Sequence, residues 1–244
     1  MRLRLISCEI FYREMCWAAS RSPNQVDLEF LPKGLHDLGA AAMRTRLQAA
    51  IDQADPERYE ALLLGYGLCG NGLAGLEARS LPLIAPRAHD CITLFLGSRA
   101  RYLEYFQQHP GTYFHTTGWI ERGRDVPQLS IQQRLGGGRS FQELAARYGE
   151  DNARYLMEQL GDYRRRYGRL AFIRTGLEPD DRFRRASLEE AERRGWRFEE
   201  IAGDLSLLRR LTDGPWDEED FLRVPPGGRI AATYREDIIG AEPA

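Results

Sequence analysis

The sequence predicts an α/β fold: a mostly parallel sheet with helices on both faces, built as one sheet or as two Rossmann-like lobes. Three observations predict it. Short apolar runs bounded by Gly, Pro and polar clusters alternate with segments of helical spacing, the pattern of parallel strands joined by crossover helices. The 244 residues are 43% hydrophobic and 29% charged, ordinary for a globular chain long enough to bury a core. The chemically distinctive residues fall just past apolar runs, where open parallel sheets bind ligands.

Residues 3–6 read as the first strand, with Cys8 just past its end, and a helix follows over 15–20. Residues 26–31 form a second strand leading into the loop at 32–37, and 40–53 carry strong helix formers. A buried strand at 59–64 runs into the glycine-rich segment 65–72. A strand at 81–85 ends at Pro86, followed by His89, Asp90 and Cys91 and a helix from 91 toward 106. A further strand is expected at 112–116. The texture changes after residue 122. Residues 123–140, with Gly136, Gly137 and Gly138 in a row, read as a linker or mobile loop, and 141–167 as helix. A strand at 170–173 and helices at 186–194 and 207–211 follow, with Gly195 a helix stop, and further apolar runs lie at 198–201, 221–224 and 230–234. The expected organisation is an N-terminal lobe at 1–122 bearing the reactive residues, the linker, and a C-terminal lobe at 141–244.

No apolar run approaches the ~20 residues of a membrane span. The apolar start is broken by Glu9, Arg13 and Glu14 and reads as a buried strand entering a helix, not a signal peptide. A cytoplasmic location is expected, where thiols stay reduced. The net charge of −2 gives no basic excess for nucleic acid. The basic residues are almost all arginine; Lys33 is the only lysine.

Four cysteines in a reducing compartment are inert core residues, catalytic thiols or metal ligands. Cys8, Cys69, His89 and Cys91 are the candidate metal set. Thiolate and imidazole suit zinc or an iron–sulfur cluster. His89 and Cys91, two apart, would point the same way along an extended segment. The spacing is not paired CxxC, so the residues alone leave the three readings open. In the catalytic reading Cys69 is the nucleophile and His89 its base. Cys16, within a helix, is expected in the core, and His36 is the rival of His89.

A competing motif is Gly65-Tyr66-Gly67-Leu68-Cys69-Gly70, which matches the dinucleotide fingerprint and has Asp90 about 20 residues on. Gly67, Gly70, Arg87 and Asp90 are accordingly the candidate cofactor-binding residues. Against that, residues 73–80 give barely two helical turns, too short for the crossover helix whose N-terminus meets a pyrophosphate. Arg87 is expected to pair with Asp90 more than to bind an anion. His115 and Trp119 are expected in the core.

The segments LISCEIFYRE, LPKGLHDLG, LLLGYGLCGNGLAGL, PRAHDCITLFLGS and TYFHTTGW, with GWRFEEIAGDLSLLRRLTDGPWDEEDFLRVPPGGRI in the second half, resemble the family catalogued as domain of unknown function 1638. The resemblance covers nearly the whole chain and places Cys8, Cys69, His89, Asp90 and Cys91 in signature segments. Members of that family are often encoded near corrinoid-dependent methyltransferases. The resemblance favours the metal or cofactor reading and implies a small-molecule substrate, or a corrinoid or methyltransferase partner protein. A metal-free thiol enzyme using Cys69 or Cys91, and a nucleotide-binding protein using the GYGLCG loop, are the alternatives.

Overall fold

The computed structural model of the chain describes residues 1–69, 71–122, 150, 167–233 and 237–244, with the backbone alone at 36 and 37. The expected linker at 123–140, most of the helix expected over 141–167 and the candidate Gly70 lie outside the described residues.

The first sheet is a mixed, mostly parallel α/β layer. Its strands are β1 (Arg2–Cys8), β2 (Gln25–Leu31), β3 (Ala61–Gly65), β4 (Leu83–Pro86) and β8 (Phe221–Val224), in the order β2-β1-β3-β4-β8. The first four run parallel, and β8 closes the edge antiparallel to β4. Central β3 and β4 are buried at every position, as covered parallel strands must be. Helix α1 (Tyr12–Arg21) links β1 to β2, and α2 (Ala40–Asp52) leads from β2 back past β1 to β3. Right-handed crossovers in opposite directions put these two helices on opposite faces. Strand order therefore reverses between β1 and β3.

The second sheet is parallel, in the order β5 (Thr112–His115), β6 (Arg169–Arg174), β7 (Arg197–Ala202). Only β6 is buried along most of its length. Helix α6 (Arg182–Arg194) packs on β6 and β7 and ends at Gly195, whose φ of +66° is the left-handed stop expected there. Helix α7 (Ser206–Asp213) returns to the first sheet, against α1, β3 and β4. A hairpin, β9 (Gly228–Ala232) and β10 (Ile239–Pro243), ends the chain.

The sheets do not divide at residues 122–141. β5, from before the expected linker, joins β6 and β7, whereas β8, from after it, completes the first sheet. The single helix expected from 91 toward 106 is two helices, α3 (Cys91–Leu96) and α4 (Arg99–Gln108). Gly97 takes φ +80° between them, and the Ser98 hydroxyl caps α4. A Cβ at Gly97 would run into Asp204, so the break also lets the segment after β7 pack closely. The backbone N–H of Asp204 bonds the Phe95 carbonyl there at 2.9 Å. Helix α5 (Thr117–Glu121) follows β5.

Candidate functional site

Cys8 is the last residue of β1, and Cys69 lies four residues past the end of β3. Both therefore stand at the carboxyl ends of the two strands between which strand order reverses. Open α/β sheets form their ligand crevice at such a switch point. Cys91, the first residue of α3, joins them from the loop after β4.

The loops after β3 and β4 are held together by their backbones. Leu68 N–H bonds the Ala88 carbonyl at 2.8 Å, and Cys69 N–H bonds the His89 carbonyl at 3.0 Å. That approach requires Gly67, where a Cβ would stand 2.7 Å from Asp90 backbone atoms. The glycine serves chain-to-chain contact. Residues 71–75 form turns instead of a helix, so the described part of this segment offers no helix N-terminus for a pyrophosphate. Cys69 and Asn71 both take left-handed backbone angles, φ 46° and 70°, which non-glycine residues adopt at a cost and which recur at functional sites.

Cys8, Cys69 and Cys91 line one cavity of about 320 Å³ together with Tyr66, Gly67, Lys33, Met43 and Trp119. Its size is at the small end of ligand pockets, about 300–1,000 Å³. The thiols are close enough to act on one another. Burial, the Cys8 sulfur and the Asp90 charge push Cys69 up to about 12; burial also brings Cys8 to about 12. Burial, Asp90, Cys69 and Cys8 raise Cys91 well above the ordinary thiol range. Among the described residues, no three His, Cys, Asp or Glu side chains stand gathered into a group that could hold a metal ion.

Trp119 reaches this cavity through α5. The Thr116 hydroxyl accepts the Trp119 N–H at 3.1 Å, and Gly118 sits against the Ile10 carbonyl with no room for a Cβ. The Lys33 ammonium donates to the Trp119 carbonyl at 2.9 Å and lies 4.2 Å from the centre of its ring, a cation–π contact. Lys33 itself is only 4% exposed. Among the described residues the buried Tyr66 hydroxyl has no hydrogen-bond partner, and burial, Cys8 and Cys69 hold its pKa well above the usual phenol value.

The other sequence candidates separate from this group. His89 is exposed and lines a different cavity, with Arg99, Tyr102 and Asp220. The period-two argument that paired it with Cys91 fails because Asp90 ends the extended segment: its carboxylate caps α3, accepting from Ile92 and Thr93 N–H. The second Asp90 oxygen accepts from Tyr102 at 3.0 Å. Arg87 does not pair with Asp90. Its guanidinium donates to the carbonyls of Glu218 (2.9 Å), Asp237 (3.0 Å) and Ile239, tying β4 to the C-terminal segment. The side chain of His36 lies outside the described residues. Cys16, half-buried in α1, is not among the residues lining the thiol cavity.

The family model described as "Protein of unknown function (DUF1638)" matches residues 30–212. The chain belongs to the DUF1638 family. The match takes in Lys33, Tyr66, Cys69, Cys91 and Trp119, while Cys8 lies upstream of it. No curated protein and no solved structure matches this DUF1638 chain.

Sequence reasoning passed over Lys33 and Tyr66 and put Trp119 in the core. A signal for Lys33 existed: one lysine in a chain whose other basic residues are arginine. Sequence reasoning also did not single out Glu14, 1% exposed in α1, whose Oε1 accepts from the Thr175 hydroxyl at 3.1 Å while Oε2 has no partner among the described residues. Burial raises its pKa to about 7.

Proposed function

We propose that this DUF1638 protein binds a soft metal ion or an iron–sulfur cluster through the thiols of Cys8, Cys69 and Cys91. The observation that carries the reading is that three of the four cysteines, far apart in sequence, open on one cavity at the strand-order reversal. The donor set fits such a group in kind: thiolates are the preferred ligands of zinc and of iron–sulfur clusters. Binding would require the three side chains to close from their present positions. Three protein donors leave a coordination position for a ligand from solution, the arrangement of reactive rather than structural sites.

When bound, zinc would supply Lewis acidity toward a thiol or a methyl acceptor, and a cluster would supply electrons. The chain's own residues shape and charge the site. Gly67 keeps the two thiol-bearing loops in register, Met43 and the ring of Trp119 give it apolar walls, and Lys33 places a cation against a set of anionic donors. Two Rossmann-like lobes fit this reading. Asp90, Cys91 and Trp119 also wall a second cavity of about 300 Å³ toward β5, so a ligand would meet both sheets. The family resemblance favours a role beside corrinoid or other methyl-transfer metabolism, with a small molecule or a methyltransferase as partner, in the cytoplasm. No described helix is long and apolar enough to cross a membrane.

The metal-free thiol enzyme is the weaker reading. A nucleophilic cysteine needs its pKa lowered by a cation, a base or a helix N-terminus. Here burial dominates and raises all three. Metal analysis and an optical spectrum of anaerobically purified protein test the proposal. Iron with visible charge-transfer absorbance supports a cluster, and colourless protein with stoichiometric zinc supports zinc. Absence of both, before and after reconstitution with either metal, overturns it.

A further inference from the structure

The thiols account for the ligand side of the cavity and leave its tyrosine unexplained. Tyr66 is 3% exposed and lines the cavity, yet its hydroxyl has no hydrogen-bond partner among the described residues. A buried hydroxyl left that way is rare enough to need a reason. The sheet shows what it stands beside. Ser7 and Gly65 are register partners on the parallel strands β1 and β3, and Cys8 and Tyr66 are the next residue along each. A Cβ at Gly65 would run into the Ser7 side chain, so that pair shares one face. Strand alternation sends Cys8 and Tyr66 together to the other face, and both line the cavity there. After burial itself, the Cys8 and Cys69 sulfurs act most strongly on the phenol.

A thiol is a weak hydrogen-bond acceptor and returns little to a phenol that has left water. Metal binding changes the acceptor, because a cysteine ligand binds as thiolate, a charged sulfur. Hydrogen bonds to charged groups are the stronger class. We propose that Tyr66 is a positioning residue of the metal site, its hydroxyl donating a hydrogen bond to a coordinating thiolate, that of Cys8 or Cys69. This rests on the reading of the thiol cavity as a metal or cluster site, and gives a part in it to a residue that is not a ligand. The bond fixes the direction of the sulfur and draws electron density from it, two means by which outer groups tune metal and cluster sites.

Cobalt(II), a coloured stand-in for zinc, tests the proposal. Full-length wild type and Tyr66→Phe, which keeps the ring and loses the hydroxyl, are reduced, freed of metal with a chelator and loaded anaerobically. The sulfur-to-cobalt charge-transfer band of Tyr66→Phe should move to longer wavelength, because a thiolate relieved of a hydrogen bond gives up its electrons at lower energy. Cobalt retention, measured by competition with a chromophoric chelator, should fall about 10–100-fold, the range for outer residues of metal sites. Before loading, Tyr66→Phe should unfold in urea at or above the wild-type midpoint, since the change removes a buried donor that had no partner. A hydroxyl that serves packing alone would lower that midpoint and leave the band where it was. Cobalt binding with the same band position and retention in both proteins would overturn the role of Tyr66 and leave the metal reading standing. A lowered midpoint before loading would overturn it too, by showing that the hydroxyl is already held within the protein. Wild type that takes up no cobalt, zinc or iron would overturn the metal reading and this proposal with it.

Discussion

The two sheets of this protein are both parallel in their cores, yet only one has collected reactive groups. In the first, the order β2-β1-β3-β4 reverses between β1 and β3, so the loops leaving those strands diverge to opposite faces and open a crevice. In the second, the order β5-β6-β7 follows the chain, and the described strands contain no reversal. Cys8, Cys69 and Cys91 all stand at the first crevice, and the second sheet contributes to it through the segment after β5 that carries Trp119. The difference teaches that topology, more than the local richness of polar residues, chose where chemistry could assemble. The second sheet has polar residues enough. They pair on its surface, as Arg184 does with Glu200, at an exposure where such pairs are worth little.

The sharpest way to break that contrast is to remove the thiols. On the proposed metal reading, Cys69→Ala and Cys91→Ala should each weaken metal or cluster retention by at least about 100-fold, since even outer residues of metal sites are worth ~10–100-fold. Cys16→Ala should leave the metal-to-protein ratio unchanged. Equal losses in all three would dissolve the distinction.

The regions also carry opposite pH signatures. Glu14, under the first sheet, has its pKa raised from 4.5 to about 7 by burial, so the folded chain holds a proton that the unfolded chain has released. Its contribution to stability is complete below pH 4.5 and falls as pH rises toward 7. His115, on β5 with Nδ1 3.0 Å from the Ser187 hydroxyl, is lowered from 6.5 to about 4 by burial, with Arg194 and Lys33 adding to the effect. There the unfolded chain binds the proton, so stability is lost as pH falls from 6.5 toward 4. Each amounts to about 3 kcal/mol at most by the 1.36 kcal/mol-per-unit conversion, and they oppose each other between 4.5 and 6.5. Glu14→Gln should therefore make urea-measured stability rise with pH across that window, and His115→Asn should make it fall. A variant whose profile keeps the wild-type slope would show that its residue does not titrate as its surroundings demand.

Smaller effects separate the regions by backbone packing. Gly67→Ala should cost about 1–3 kcal/mol, the range for overpacking, because its Cβ meets Asp90 backbone at 2.7 Å. Gly168→Ala, before β6, meets nothing within 4 Å and should change stability by no more than about 0.5 kcal/mol. Chemical denaturation of the two variants reads both. A comparably small effect concerns the cap that turned His89 away. Asp90→Ala should lose about 1 kcal/mol as an N-cap substitution. A loss near zero in the same assay would mean that the cap does not hold α3.

Much of this was legible in the sequence. The first six strands follow from apolar runs and their punctuation, whereas the apolar runs at β7, β8 and β9 stand out without declaring themselves strands. β10, with its polar Gly-Ala-Glu centre, was missed because only its pairing with β9 defines it as a strand. α5 was missed as well, a short helix whose cap and packing against the turn at Glu9–Phe11 matter more than its propensity. Arg87 and Asp90 looked like a natural ion pair from their spacing. The fold sends one to distant carbonyls and the other to a helix end, where carbonyls of the C-terminal segment and the open N–H groups of α3 take the two side chains.

By itself the sequence determined the alternation of strands and helices, the covered parallel sheet, the family, and the presence of cysteines just past apolar runs. These are local matters of periodicity, turn residues and composition. Only the tertiary structure decided that Cys8, Cys69 and Cys91 share a cavity and that His89 does not. It also decided that Lys33, Tyr66 and Trp119 complete the wall. Side-chain direction there depends on where a strand gives way to a helix and on which loops pair. Those events join residues tens of positions apart, and no spacing along the chain encodes them.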